Sequence, residues 1–386
     1  MAERIFKFFT SLKLTVVLLG AGLLLVFIGT LAQVDEGLYL AQTRYFKSWY
    51  VWAPTVFSVR LPIIFPGGYL LGTLLLLNLL AAHIKRFQFT RKKLGIHLIH
   101  GGLILLLLGQ LLTDAFSTES AMRLAEGESR NYSQDFRDNE LVVINTSNPQ
   151  QDQVVSISEH LVARKEEIQD QNLPVKLRVL NYWSNSSLST NAAKPFLPVG
   201  ATQGLGAGLH LAPLPSTVST EERNMPSALV EVIGDQGSLG KWLVSTWLGA
   251  PQEFSYCGKT YQLAMRFKRY YKPFNLKLVE FNHERYRGTD IPKNFASRVR
   301  IQRPDKGENR EVLIYMNNPL RYNGETYYQA GFDKDNDSRV KKVTILQVVH
   351  NPSWLTPYLS CILVAAGLLV QFLSHLFRFA TKGAMA

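Results

Sequence analysis

The stretch from Gly67 to Asp114, GGYLLGTLLLLNLLAAHIKRFQFTRKKLGIHLIHGGLILLLLGQLLTD, decides the fold of this chain. Its two apolar runs, at 69–84 and 94–112, approach the ~20 residues with which a helix crosses the ~30 Å hydrocarbon layer of a membrane. The turn between them is basic, and clustered positive charge is typical of the cytoplasmic side. Its basic residues are Lys85, Arg86, Arg91, Lys92 and Lys93. The stretch therefore predicts a transmembrane helical hairpin with a cytoplasmic turn.

Three histidines lie where the two predicted helices meet this turn. His83 is at the end of the first helix, and His97 and His100 are near the start of the second. Histidine is uncommon at membrane depth, and a histidine that faces a bundle interior often marks a ligand or proton site. Because His97 and His100 are three residues apart, they share one face of their helix. We therefore expect the functional site at the inner end of the hairpin.

Two further apolar runs, at 14–32 and 354–377, complete a set of four predicted transmembrane helices. Basic residues precede the first run and follow the last, which predicts that both termini are cytoplasmic. The first run is long for the apolar part of a signal peptide, and no small-residue cleavage site follows it. We expect it to be a retained helix.

Residues 114–354 are different in kind, because they are polar and carry short alternating runs with frequent turn signals. The runs that predict strands are Leu141–Asn145, Val154–Ser158, Val175–Tyr182, Ala228–Ile233, Lys241–Trp247, Tyr261–Phe267, Leu276–Phe281, Ser297–Gln302, Glu311–Tyr315, Thr326–Ala330 and Val340–Val349. No helical run is long enough for an α/β fold, so an all-β sandwich or barrel-like domain is expected. The Ser-, Gly-, Pro- and Ala-rich segment from Ser184 to Pro226 predicts a long, mobile excursion.

The fold class that follows is a membrane protein with four transmembrane α-helices and a large extracytoplasmic all-β domain inserted between helices 3 and 4. The expected parts are a membrane region at 1–113, the β domain at 114–354, and the fourth helix with a cytoplasmic tail at 355–386. The outer loop at 34–66 is rich in aromatic residues, which predicts one or two short interfacial helices. Their aromatic face is either a lipid-facing belt or a ligand-contacting surface.

The composition limits the chemistry that is available to this chain of 386 residues and net charge +12. Positive charges that flank apolar runs set membrane orientation and contact anionic headgroups, so they predict a lipid partner and no nucleic acid. The two cysteines, Cys257 and Cys361, form no C-x-x-C motif, which excludes covalent haem attachment through C-x-x-C-H and dithiol exchange. The sequence shows no nucleophile, acid–base pair or metal cluster of its own.

Several segments, in the right order, resemble the ResB-like family, also called CcsB, of System II cytochrome c biogenesis. They are FTSLKLTV at 9–16 with IGT at 28–30, AHIKR at 82–86 with GIHLIHGG at 95–102, FASRV at 295–299, and NNPLRYNGETYYQ at 317–329. The haem-handling W-G-x-x-W-x-W-D segment of the family's CcsA-like partner is absent from the sequence. The partner is therefore expected to be a separate polypeptide.

The resemblance implies a subunit of a haem-delivery and cytochrome c synthesis complex in the bacterial plasma (inner) membrane. Such a subunit holds haem b and moves it to apocytochrome c together with a CcsA-like (ResC) partner, as a non-catalytic part of a cytochrome c haem lyase (synthetase). The resemblance also implies that His83 is an axial ligand of the haem iron, shared with a histidine of the partner. His97 and His100 are expected as an alternative ligand and a hydrogen-bond donor to a haem propionate.

Each of these roles has an alternative. The alternative for His83 is that it is an interfacial residue beside Lys85 with no ligand role. The alternative for His97 and His100 is that they bond a neighbouring helix or a lipid headgroup. Lys85, Arg86 and Lys93 either neutralise haem propionates or only orient the hairpin. The block at 317–332 is either a tight turn into an aromatic strand or a docking surface.

Two alternatives apply to the function of the whole chain. The first is a haem-b membrane anchor for quinol electron transfer, which would use histidine pairs at both membrane depths. The intramembrane histidines here all lie at the predicted inner face, which disfavours it. The second is a cofactor-free structural membrane anchor that displays the β domain.

Overall fold

The computed structural model describes residues 2–56, 59–60, 62–88, 90, 93–192, 195–217, 222–288, 292–332 and 342–383. Arg91 and Lys92 of the basic turn, Phe57 of the outer loop and residues 340–341 of the last predicted strand lie outside these ranges. The chain divides into two compact units. The helical unit consists of Met1–Thr118 and His350–Ala386, and the β unit consists of Glu119–Thr217 and Glu221–Val349.

The described residues contain four helices that are long and apolar enough to cross a membrane. They are α2 (Leu12–Glu36), α4 (Gly68–Arg86), α5 (Leu94–Phe116) and α7 (Thr356–Gly383), and the shorter helices are α1 (Ala2–Phe9), α3 (Leu38–Ala41) and α6 (Glu159–Ala163). The prediction of four apolar helices is confirmed. The direction in which each crosses the membrane stays a prediction.

A break between α1 and α2 is bridged by a buried side chain of α4. Asn78 is only 2% exposed, its Nδ2 donates to the Phe9 carbonyl oxygen at 2.7 Å, and its Oδ1 accepts from the Thr15 hydroxyl at 2.7 Å. A buried carboxamide needs both donors and acceptors as partners, and the interrupted helix supplies them. Neither α1 nor this contact was predicted from the sequence.

Helices α5 and α7 approach closely through a row of glycines on α5. Gly95, Gly102 and Gly109 are buried and follow one another at intervals of seven residues. A Cβ atom added to Gly102 would lie 2.7 Å from Val364 Cγ2 and 2.9 Å from the Ser360 carbonyl oxygen. Small residues at such contacts let helix backbones approach within a membrane, where van der Waals packing drives association.

We expect Gly102→Leu to separate α5 from α7, because the added side chain has no space at this contact. Overpacking of this kind costs about 1–3 kcal/mol. Gly101→Leu is the matched control, since a Cβ atom there meets nothing within 4 Å. Thermal unfolding of the purified protein in detergent measures the effect. A midpoint for Gly102→Leu equal to that of the control would contradict the packing.

The outer loop at 34–66 is only partly helical. Helix α3 continues into a π-helical turn at Gln42–Phe46, after which the chain forms short antiparallel strands. These are β1 (Tyr50–Trp52) paired with β4 (Ile64–Pro66), and β2 (Thr55–Val56) paired with β3 (Val59–Arg60). The expectation of interfacial helices is therefore wrong for the second half of the loop. That half is rich in aromatic and β-branched residues, which fit a pleated surface.

The β unit is all-β apart from the five-residue helix α6 and short 3₁₀ turns, among the residues that the structure describes. Its strands are β5 (Thr118–Ala125), β6 (Ser129–Asn145), β7 (Gln153–Ser158), β8 (Glu167–Ile168), β9 (Lys176–Trp183), β10 (Ser186–Ser189), β11 (Leu197–Pro198), β12 (His210–Pro213), β13 (Ser227–Gly234), β14 (Gly237–Ser245), β15 (Gln252–Tyr256), β16 (Lys259–Arg285), β17 (Pro292–Arg303), β18 (Glu308–Tyr315), β19 (Leu320–Tyr322), β20 (Glu325–Phe332) and β21 (Val343–His350). The prediction of an all-β domain is confirmed.

The largest sheet has the strand order β18-β17-β16-β6-β5-β21-β20-β19, with β7 on β6 and β15 on β16. Its two end strands, β18 and β19, follow one another in the chain, and a bridge between Tyr315 and Asn318 closes the turn between them, so the sheet is nearly closed like a barrel. Strands β5 and β21 are neighbours, and the Ser120 hydroxyl donates to the Val348 carbonyl oxygen at 3.4 Å. Two smaller sheets have the orders β14-β13-β9-β8 and β10-β12-β11.

Two of the strand predictions are corrected. The runs Tyr261–Phe267 and Leu276–Phe281 belong to one 27-residue strand, β16, whose register shifts between Tyr271 and Leu276. Pro273 lies at that irregularity, where a strand tolerates a residue without an amide hydrogen. The described part of the excursion from Ser184 to Pro226 is also ordered, because it forms the three-stranded sheet.

Candidate functional site

The end of α4 and the start of α5 bring three imidazole rings together. The centre of the His83 ring lies 5.2 Å from that of His97 and 5.8 Å from that of His100. Phe87 joins the group, with its ring centre 5.6 Å from His83 and 4.9 Å from His97. We call His83, His97, His100 and Phe87 the imidazole cluster. His83 is its central ring.

The backbone explains why these side chains meet. His83 lies in the last turn of α4, and His97 and His100 lie in the first two turns of α5, on one face of that helix. The short connection folds α5 back beside the end of α4. The His97 Nε2 atom lies 2.9 Å from the Gln88 carbonyl oxygen of this connection. Since a carbonyl oxygen only accepts, Nε2 carries the proton in this bond, which fixes the ring orientation.

The cluster suits a single ligand to a large cofactor better than a chelate site. Within the described ranges, no group of three or more His, Cys, Asp or Glu side chains is placed to hold one metal ion. The His83 ring meets the rings of His97 and His100 edge to face. Haem iron needs only one imidazole on each side of the porphyrin. The His83 imidazole, surrounded by His97, His100 and Phe87, fits the requirement for one ligand on one side of the porphyrin.

The basic residues near the cluster differ in their contacts. Lys85 Nζ donates to the Thr10 hydroxyl at 3.2 Å, and Lys93 Nζ donates to Gln88 Oε1 at 2.5 Å. Arg86 is exposed and forms no hydrogen bond or ion pair with other residues that the structure describes. His375 of α7 lies with its Nε2 atom 2.9 Å from Gln371 Nε2.

The block at 317–332 forms the end of the barrel sheet. Asn323 and Gly324 have φ angles of 51° and 79°, as a two-residue hairpin turn requires, and they join β19 to β20. Tyr327 is fully buried and donates to Glu325 at 2.7 Å. Burial raises the pKa of Tyr327 above its ordinary value, so its hydroxyl stays protonated. Glu325 also pairs with buried Lys272.

A buried polar group ties this block to the strands beside it. The Ser297 hydroxyl lies 2.6 Å from Gln329 Oε1 and 2.8 Å from the Thr344 hydroxyl, and Gln329 Nε2 donates to Thr344 at 2.9 Å. Ser297 and Gln329 belong to the segments quoted for the family resemblance. Their contacts, like those of Tyr327, favour the structural interpretation of this block over the docking surface.

A second polar group, which was not predicted from the sequence, lies at the opposite end of α4 and α5. Asp114 accepts a hydrogen bond from the Tyr69 hydroxyl and pairs with Lys47 Nζ at 2.8 Å. The three residues line a cavity between α2, α4 and α5. Polar residues at the ends of the apolar runs could have indicated this group. Such residues are also common wherever a helix ends at a membrane interface, so they do not single out a site.

Comparison with known proteins places part of the chain in a family. The model of the ResB-like family matches residues 237–341, a range that holds the segments 295–299 and 317–329. A segment of 107 residues is 35% identical to Protein NrfI of Wolinella succinogenes. That segment is 28% of this chain and spans 11% of the length of the relative. Over residues 237–341, this chain is similar to the ResB-like family.

Proposed function

We propose that this chain acts in cytochrome c biogenesis, as a non-catalytic membrane subunit of a complex that delivers haem b to apocytochrome c. It works with a CcsA-like (ResC) partner, which supplies the second axial ligand of the haem iron. The observation that carries the proposal is the imidazole cluster at one end of the apolar helices of a ResB-like chain. Haem is the cargo of this subunit and not its resident cofactor.

His83 is the residue to which we assign the iron. It is the central ring of the cluster, and no side chain within the described ranges forms a hydrogen bond with its nitrogens. The Nε2 atom of His97 is engaged by the backbone, so His97 is the positioning residue that holds the His83 ring by contact. His100, which also contacts the His83 ring, is the hydrogen-bond donor to a haem propionate. Arg86, exposed beside the cluster, is the cation for a propionate.

The proposed topology places the cluster at the cytoplasmic face of the bacterial plasma membrane. The Lys85 contact with Thr10 supports it, because it brings the basic N-terminal segment and the basic turn to one end of the helices. Positive residues collect on the cytoplasmic side, and both groups therefore predict the same side. The termini are then cytoplasmic and the β unit is extracytoplasmic.

An absorption spectrum tests the proposal. The chain is purified alone and in complex with its CcsA-like partner, and the complex is expected to show a Soret band with about one haem for each pair. A cofactor-free anchor would be colourless in both samples, which would overturn the proposal. A quinol-oxidising anchor would carry haem without the partner, and quinol would reduce that haem.

A further inference from the structure

The helical unit contains a cavity at the end opposite to the imidazole cluster. Its volume is about 600 Å³, within the ~300–1,000 Å³ typical of small-molecule sites. Its apolar wall comes from α2, α4, α5 and the π-helical turn, and consists mainly of Gly29, Phe46, Gly72, Leu76, Leu107 and Leu111. Tyr69 at its rim and His83 are fourteen residues apart on α4, roughly 21 Å along the axis. The cavity is therefore a separate site.

Three carboxamides line this cavity from three different elements. Gln33 belongs to α2, Gln42 to the π-helical turn and Gln110 to α5. No side-chain hydrogen bond joins any of them, or Thr73 of α4, to the rest of the chain that the structure describes. All four side chains are exposed, so their polar groups are available to a ligand in the cavity. Their convergence favours a ligand that carries both hydrogen-bond acceptors and donors.

The charged residues of the cavity neutralise each other. Lys47 and Asp114 form an ion pair at 2.8 Å, and Tyr69 donates its hydroxyl to the same carboxylate. Among the lining residues that the structure describes, no unpaired cation remains for a phosphate or a carboxylate. These described lining residues also include no His, Cys or Met that could bind an iron porphyrin. These properties disfavour an anionic phospholipid headgroup and haem, and they favour a neutral ligand.

We infer that this cavity binds a membrane quinone. The quinone ring is neutral, its two carbonyl or hydroxyl groups match the three carboxamides and Thr73, and its body is apolar like the cavity wall. Helix faces with exposed leucines flank the cavity and provide an apolar route for the isoprenoid tail. This site is independent of the proposed haem site, and the inference concerns binding alone.

Filling the cavity provides the test. Gly72→Leu places a side chain in it, and a Cβ atom at Gly72 meets nothing within 4 Å, so the backbone is not forced to move. Gly22→Leu is the matched control, because Gly22 is on α2, has the same open surroundings and does not line the cavity. The full-length chain in phosphatidylcholine nanodiscs is titrated with decyl-ubiquinone. Tryptophan fluorescence is the readout, because Trp49 packs against Tyr69 at 6.2 Å and a bound quinone quenches it.

We expect saturable quenching in the wild type and in Gly22→Leu, and an affinity at least roughly tenfold weaker in Gly72→Leu. Gln110→Leu, which removes one carboxamide and adds no volume at Gly72, is expected to weaken binding as well. Quenching that does not saturate, or that is equal in wild type and Gly72→Leu, would overturn the inference. The inference would also be overturned if the wild type bound no quinone and mass spectrometry found a phospholipid bound to the wild type but not to Gly72→Leu. Haem content of the partner complex, measured separately, reports only on the imidazole cluster.

Discussion

Replacing His83 by alanine is expected to remove nearly all haem from the purified complex while the chain still associates with its CcsA-like partner. The imidazole is lost, but the surrounding helix contacts are not, because His83 is only partly buried and touches mainly His97, His100 and Phe87. The Soret absorbance per complex measures the haem content. Co-purification of the partner shows that assembly is intact.

The neighbouring histidines provide graded controls for this result. His100→Ala is expected to reduce haem content partially, and His375→Ala, which removes only the bond to Gln371, is expected to leave it unchanged. Imidazole added to the His83→Ala complex should restore part of the Soret band, since a free ligand can enter the space that alanine leaves. Normal haem content in His83→Ala would remove His83 from the proposed site.

Excising residues 119–349 is expected to stop cytochrome c maturation while the four apolar helices still insert. The two ends of the excised segment lie side by side, because Ser120 bonds Val348 and Gln347 Nε2 donates to Glu119 at 3.1 Å. A short Gly-Ser linker therefore joins Thr118 to His350 without strain on α5 or α7. Haem staining of c-type cytochromes measures maturation, and membrane fractionation measures insertion.

The same linker inserted at the turn Asp235-Gln236-Gly237 is the matched control, because this turn joins β13 to β14 at the surface. We expect that variant to keep maturation near the wild-type level. Wild-type maturation in the excised variant would show that the β unit is dispensable. A loss in both variants would assign the effect to the linker.

The features that the sequence predicted well are those that depend on neighbours along the chain. Four long apolar runs predict four long apolar helices, and the described residues contain all four. The hairpin likewise required His83, His97 and His100 to be close, because a short turn leaves the adjoining helix ends together. The turn at Asn323-Gly324 has the positive φ angles that its residue types predict. Whether His83 binds haem stays a prediction.

The features that the sequence did not predict depend on contacts between distant residues. The cavity combines Gln33 with Gln110, which are far apart in sequence and unremarkable singly. The strand β16 continues past Pro273 because β6 pairs with it before and after the irregularity, and β17 pairs with it from Asn275 onward. The break before α2 is stabilised by Asn78, a single polar residue inside an apolar run. No local pattern identifies these pairings.

The order of strands in the barrel sheet also has a consequence for biosynthesis. Strand β5 emerges from the ribosome first, but its neighbour β21 is translated roughly 200 residues later, so this pairing is among the least local in the molecule. The nascent sheet therefore keeps an open edge until translation is almost complete. Such an edge attracts other extended chains. We expect the newly made protein to depend on chaperones at the membrane surface until β21 closes the sheet.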